Sequence, residues 1–556
     1  MTAARTEMQK WAAHDRQQML SAVSRERFEK ARQKPAFLKD AIQLRAALLD
    51  FIADFANWDN STAPEFLDTS RVLTQAAHEA LGGEKGTKPL VADPFAGGGS
   101  IPLEALRVGA DAFASDLNPI PVLLNKVVLE YIPKHGRRLA DEVRKWGEWI
   151  RSEAEKELAE LYPNATNGAT PIAYLWARTI QCEGPGCGAE VPLIRSLWLA
   201  KKPNRSVALQ LVPRPRVKRV DFQIILKQRG GWVSQDNTKE KIADPKFDGT
   251  VKRGSATCPC CGYTTPVARV REQLKRRRGG ASDARLFCVV SNHASEQGRF
   301  YRLPTDKDLK AVGAASRQLE KRGLAHKGKL SLVPDEKLDV RGIRHTWAMI
   351  YGLERWGDLF MPRQALVLSS LFRVLLDATK KRGDDSLSVA LQVCLALAID
   401  RQANALTSLS RWNTVGEKIE GVFARQAIPL LWDYAEVNPF SGSSGDLAGA
   451  IEWVVKVCDA NAFLTGTEGQ AVTASATKHP LADDSVNAFI TDPPYYDAVP
   501  YAFLSDFFYV WLKRGLANLH FDFLNNDAVP KDEEIVVDRT HELRDGATIK
   551  AQCVAK

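Results

Sequence analysis

The sequence predicts an α/β protein whose parallel sheet is split by a long insertion, and three observations lead there. Near the start, "KPLVADPFAGGGSIPLEALRVGADAFASDLNPIPVLLNKVVLEYI" (88–132) reads strand, glycine-rich turn, helix, strand, helix, the alternation of parallel β–α units. Near the end, "FITDPPYYDAVPYAF" (489–503) is a short apolar strand stopped by two prolines, which cannot continue a paired strand. Between these ends lie roughly 350 residues, too many for a loop, so they must fold as domains of their own.

The elements follow in order. Residues 1–87 form a helical region, with apolar residues at helical spacing in "LKDAIQLRAALLDFIADFANW" (38–58) and a second helix over 66–81 stopped by Gly82-Gly83. Residues 88–165 carry the first part of the sheet and then a charged helix from 137 to 160. Residues 166–335 change character to short β-rich pieces, Pro and Gly breaks and paired cysteines. Helices return over 336–445, including "MPRQALVLSSLFRVLLDATKKRG" (361–383), until Pro439 and "SGSSG" (441–445) mark a break. Strand-like pieces resume in 446–556 and lead to the two prolines.

Composition narrows the class. The chain has 45% hydrophobic and 26% charged residues, ordinary for a water-soluble domain protein. Its longest apolar run, "VALQVCLALAI" (389–399), is too short to span a bilayer. The opening MTAARTEMQK is unlike a secretory leader, and a cytoplasmic protein without a membrane partner is expected. The net charge of +9 is concentrated: residues 191–330 hold 31 Lys and Arg against 11 Asp and Glu. A local positive field of that kind suits a polyanion such as nucleic acid.

The first strand ends in Asp93 and is followed by Phe95-Ala96-Gly97-Gly98-Gly99. Glycines let backbone turn tightly and approach a ligand, and the next helix points free N–H groups at the same place. The second strand ends at Asp116, where a carboxylate can accept both hydroxyls of a ribose. G-x-G-x-x-G and G-x-x-x-x-G-K-[ST] are both absent, which argues against dinucleotide and triphosphate loops.

"DPFAGGGS" with a later "DPPY" resembles the amino-methylating DNA methyltransferases that use S-adenosylmethionine. The resemblance implies a Rossmann-like methyltransferase sheet. Asp93, Phe95, Gly97 and Gly99 would line the methionine and adenosine sites, and Asp116 would hold the ribose. Asp492, Pro493, Pro494 and Tyr495 would receive a flipped base. An adenine amine is a poor nucleophile because its lone pair is delocalised. Asp492 and the carbonyl of Pro493 can each accept one of its N–H bonds, the prolines stiffen that geometry, and Tyr495 offers a stacking face.

Two cysteine pairs stand apart. "TIQCEGPGCGAEVPL" carries Cys182 and Cys187, and "GSATCPCCGYTTP" carries Cys258 and Cys261 with Cys260 between them. Two such knuckles can present four thiolates to one structural Zn²⁺, with Cys260 able to substitute for either neighbour or to stay free. Cys288, Cys394, Cys458 and Cys553 are isolated and read as structural. Arginine-rich stretches, "KKPNR" (201–205), "VPRPRVKRV" (212–220) and "REQLKRRRGG" (271–280), lie around the second knuckle and suit phosphate contacts.

With "YLWARTIQCEGPGCGAEVPLIRSLWLAKK", "RWGDLFMPRQ" and "DYAEVNPF", the chain is similar to the adenine-specific DNA methylases that contain a zinc ribbon, large proteins often found at restriction or phage-defence loci. The resemblance implies adenine-N6 methylation of DNA. The alternatives are guanine-N2 methylation of RNA, cytosine-N4 methylation, for which a Ser is more usual at the Asp492 position, and a non-catalytic, zinc-stabilised nucleic-acid-binding remnant. Against that pattern the chain reads as shortened at both ends. Only "EIVVD" (534–538) offers a further strand after the tetrad, so a second polypeptide completing the catalytic domain is an expected partner.

Overall fold

The computed structural model describes residues 1–165, 168–203, 205–293, 295–344, 346–383, 385–495 and 499–535. Contacts group the chain into two compact units, one of residues 1–137 and 460–494, the other of 138–459 and 495 onward. No helix among the described residues is long and apolar enough to cross a membrane.

The first unit opens with helices Thr2–Trp11, His14–Gln17, Ala22–Gln33, Ala41–Phe55 and Pro64–Ala80. The first three lie upstream of the segments whose periodicity predicted helices. They close around Trp11, whose ring sits 4.4 Å from Phe66 and 5.3 Å from Phe51. Its Nε1 donates to Thr69 Oγ1 at 2.9 Å, so the indole is buried with its one donor satisfied. Each fully buried ring of this cluster contributes about 1.5–3 kcal/mol.

The sheet of this unit has four strands: β1 (Leu90–Asp93), β2 (Asp111–Asp116), β3 (Gln470–Thr473) and β4 (Ala488–Phe489). Their order is β3-β2-β1-β4, and every pairing is parallel. Chain segments nearly 400 residues apart thus lie side by side, as the sequence predicted. The β1–β4 ladder extends past the two residues of β4, with Asn487 N–H donating to Leu90 O at 3.0 Å and Ile490 N–H donating to Ala92 O at 3.1 Å. The Asn487 side chain returns the bond by accepting from Leu90 N–H at 2.8 Å.

The second unit is built on antiparallel sheets and long helices. One sheet runs Glu296–Arg302, Arg285–His293, Thr170–Ala177, Asp433–Val437. Another has five strands and is centred on the pair Arg205–Arg214 and Arg219–Gln228. Around them lie helices Arg137–Leu158, Asp306–Ala325, Pro362–Arg382, Ser386–Ala405, Leu447–Asn461 and Tyr501–Leu516.

Three expectations change here. The β-rich stretch 166–335 contains a helix of 20 residues, Asp306–Ala325, opened by a Thr305/Asp308 capping box. Residues 411–437 form short strands instead of continuing the helices. The segment after "SGSSG" is the helix Leu447–Asn461 and not a strand-like piece; its valine-rich "WVVKV" carries β propensity, but tertiary packing overrides it. The helix after the proline pair, Tyr501–Leu516, packs within this second unit: Trp511 stacks on Phe372 with centroids 6.0 Å apart, and Gln392 Nε2 donates to Gly515 O at 2.8 Å. Most of the strand expected at 534–538 lies outside the described residues, as does Cys553.

At the centre of this unit, Arg363 and Glu436 form an ion pair with both side chains fully buried. Arg363 Nε donates to Glu436 Oε1 at 2.8 Å and Nη2 to Oε2 at 2.6 Å, while Nη1 donates to Leu161 O at 2.8 Å. Trp176 Nε1 donates to Glu436 Oε2 at 2.9 Å, and the guanidinium lies over the rings of Tyr162 and Tyr174. Burial alone would lower the Arg363 pKa, but the Glu436 carboxylate holds it above its ordinary value. Removing one partner of such a pair leaves a buried charge uncompensated, which costs about 3–5 kcal/mol. Arg363→Met is expected to lower the unfolding free energy of this unit, measured by urea titration, by that amount, and Arg363→Met/Glu436→Leu to recover part of it. A single variant that unfolds like the parent would contradict this reading.

Candidate functional site

The carboxyl ends of β1, β2 and β4 bring together the glycine turn, Asp116 and the start of the Asp-Pro-Pro-Tyr tetrad. Asp93 closes β1 and is buried; its Oδ1 accepts from Phe95 N–H at 3.0 Å, which starts the turn. Gly97 and Gly99 have φ of 49° and 82°, in the region that favours glycine. Gly97 N–H donates to Asp116 Oδ2 at 3.0 Å, and Asn118 N–H donates to Asp116 Oδ1 at 2.8 Å. The acid at the end of β2 therefore holds the turn at the end of β1.

The turn has an open side and a packed side. A Cβ added at Gly98 would meet nothing within 4 Å, and one at Gly97 only the Phe95 carbonyl at 3.8 Å. A Cβ at Gly99 would lie 2.5 Å from Asn125 Oδ1. Asn125, which motif reading did not single out, is buried behind the turn and donates Nδ2 to Gly97 O at 3.0 Å and to Pro121 O at 2.9 Å. It stands where the helix Pro119–Asn125 passes into a π-helical segment, Lys126–Tyr131. Its one visible signal is its place on the helix after the second strand.

Asp492 follows β4 and is exposed, as is Pro493; Pro494 is partly buried. Asp492 is close enough to Asp93 to add to its raised pKa, and Thr491 hydrogen-bonds the Asp93 carboxylate. Tyr495 is exposed and opens the chain segment of the second unit. Burial is the largest cause of the raised pKa of Asp93, opposed by the Phe95 amide and Thr491. Asp116 is also raised by burial, against the amides of Asn118 and Gly97, with Asp93 adding to the rise. Three carboxylates thus share one end of a small sheet with no cation among the groups that shift Asp93 and Asp116.

The cysteines converge in the second unit. Strands Thr179–Gln181 and Glu190–Pro192 pair around one knuckle, and Ser255–Thr257 and Thr264–Thr265 around the other. The sulfurs of Cys182, Cys187, Cys258 and Cys261 all lie within 4.8 Å of one another, so the four can hold a metal ion. Two of the Sγ–Sγ separations are 3.5 Å and 3.8 Å. A tetrahedral tetrathiolate with arms of about 2.3 Å has edges of about 3.8 Å. Cys260 is outside the quartet, its Sγ 3.4 Å from Arg219 O. Glycines allow the crowding: Gly262 has φ of 77°, and a Cβ at Gly184 would lie 3.1 Å from Cys261 Sγ.

Comparison with family models, with curated proteins and with solved structures finds no match.

Two predictions follow from this geometry. Asp93 has a folded pKa above its unfolded one, so it favours the folded state while protonated. That contribution is present below the ordinary value of 3.8 and is lost as pH rises through the folded value. Asp93→Asn keeps an oxygen for the Phe95 amide and is expected to melt higher than the parent at neutral pH, the difference vanishing in acid. For the cysteines, elemental analysis is expected to find one tightly held metal ion per chain. Cys258→Ser and Cys261→Ser should lower that content, whereas Cys260→Ser should keep it.

Proposed function

We propose that the chain is an S-adenosylmethionine-dependent methyltransferase acting on the exocyclic amine of adenine in DNA, with a structural zinc ion in its second unit. The observation that carries the reading is the parallel pairing of β4 with β1, which brings Asp492 beside Asp93 at the mouth of the glycine turn. The sheet order reverses at β1, and in open parallel sheets ligands occupy the crevice outside the carboxyl ends at such a reversal.

The residues present suit this cofactor. The open side of Gly97 and Gly98 lets a ligand approach the backbone, and Asp116 retains acceptor capacity beside its two amide bonds. The cofactor is cationic at its sulfonium and its ammonium. A site of three crowded carboxylates gains more from such a ligand than from an anionic one. When bound, S-adenosylmethionine supplies an electrophilic methyl group. On the protein side, Asp492 accepts one N–H of the adenine amine and Pro493 O the other. This fixes the direction of the nitrogen lone pair and gives the released proton an acceptor.

The test is mass spectrometry of nucleosides from DNA and RNA incubated with the protein and labelled cofactor. N6-methyladenine in DNA is the expected product. N2-methylguanine in RNA, or no product despite cofactor binding, would replace this reading with another. Asp492→Ala is expected to keep cofactor binding by calorimetry and to lose about 10²–10⁴-fold in rate. Asp116→Ala is expected to lose cofactor binding itself.

A further inference from the structure

The second unit contains a cleft of about 750 Å³ that the methylation reading does not use. Its walls include the helix Val267–Lys275, the turn Trp347–Tyr351, residues 409–434 and parts of 195–199 and 253–254. Arg253, Arg271 and Arg425 line it, and none of the three is ion-paired among the described residues. Elsewhere in the unit arginines are commonly committed to carboxylates, such as Arg269 to Glu183 and Arg277 to Asp283. The lining holds two acids. Glu420 is taken by Arg411, and Asp433 accepts from Arg195 N–H at 2.9 Å. The cleft therefore presents positive charge without a matching internal counter-charge.

Its other feature is aromatic. Trp347 is 59% exposed, an unusual cost for an indole. Trp432 meets Tyr351 edge to face at 5.2 Å, and the Arg271 guanidinium lies over the Tyr351 ring at 5.8 Å. Unpaired guanidinium groups beside accessible rings are the two halves of single-strand recognition: the cations track phosphates, and the rings stack on bases whose faces are free. A duplex offers only its phosphates to such a wall, because its base faces are already stacked.

We infer that this cleft binds an unpaired segment of a polynucleotide, with phosphates on Arg253, Arg271 and Arg425 and a base on Trp347. The inference shares with the methylation reading only its nucleic-acid partner and needs neither the glycine turn nor the tetrad. The metal site bears on it through one helix. Gln273 accepts from Gln181 N–H at 2.8 Å and donates to Gln181 O at 3.0 Å, and Arg269 pairs with Glu183 next to Cys182. The cysteine knuckle thereby fixes the helix that carries Arg271.

The experiment is fluorescence anisotropy with the full chain and no cofactor. It uses a labelled mixed-sequence DNA strand, the RNA strand of the same sequence, and the DNA duplex. We expect one or both single strands to bind at least about tenfold more tightly than the duplex, and the DNA and RNA arms assign the sugar. Trp347→Ala should weaken single-strand binding by about 5–150-fold, the loss of one stacked base. Arg271→Ala should lower the salt slope by about 0.7, the loss of one phosphate contact. Both positions are on the surface of the cleft, so circular dichroism should match the parent. Equal or tighter binding of the duplex, or single-strand binding untouched by both substitutions, overturns the inference. A chain that binds single strands through Trp347 but transfers no methyl group would leave it standing while the methylation reading fell.

Discussion

A guanidinium and a carboxylate withdrawn from solvent set the frame of the second unit. Arg363 and Glu436 join the helix Pro362–Arg382 to the strand Asp433–Val437 and, through Trp176, to the central strand Thr170–Ala177. Neither charge is stable there alone, because desolvation would cost several kcal/mol per ion. The pair therefore specifies one arrangement of helix and sheet. Arg178, also fully buried, repeats the device without a carboxylate: its donors reach Leu431 O, Ser408 and Gly279 O, and burial lowers its pKa to about 10. These two arginines fix the segments on either side of Asp433, and those segments line the cleft.

The two units carry opposite chemistry. At the end of the small parallel sheet, Asp93, Asp116 and Asp492 gather negative charge around an open glycine backbone. In the other unit, arginines without carboxylate partners gather beside rings. Each asymmetry costs folding energy that a ligand of opposite charge would recover. Four cysteines that can hold a metal ion add a third local constraint, since their sulfurs lie within 4.8 Å of one another.

The strands and turns that bear chemistry were largely legible in the sequence. A strand ending in an acid before three glycines, and two cysteine knuckles, leave local signatures because each depends on glycine geometry or a fixed ligand spacing. That a short strand runs into the two prolines was also visible, but its pairing with β1 was not. Nor were other tertiary features. Asn125 is one polar residue on an ordinary helix, and only the Gly97 carbonyl beside it gives it meaning. The helix Leu447–Asn461 was hidden by its valines, and the cleft by its make-up from several separate stretches of chain. Charge counting found the basic region but could not separate arginines committed to carboxylates from those left open.

The interleaving of the two units has a consequence for how the protein is made. β1 and β2 leave the ribosome early, but β3 and β4 follow some 350 residues later, which at 5–20 residues per second is a wait of roughly 20–70 s. During that time a two-stranded parallel ladder stands with both edges open, the kind of surface that invites wrong partners. Its residues suit the delay: Leu90-Val91-Ala92-Asp93 and Asp111-Ala112-Phe113-Ala114-Ser115-Asp116 are short, rich in alanine and bounded by charge. The second unit waits longer still, because the helix Tyr501–Leu516 that packs on Phe372 and Gln392 is translated after every strand of the sheet. Synthesis of this chain therefore depends on keeping two unfinished cores apart until the helix Tyr501–Leu516 has been added.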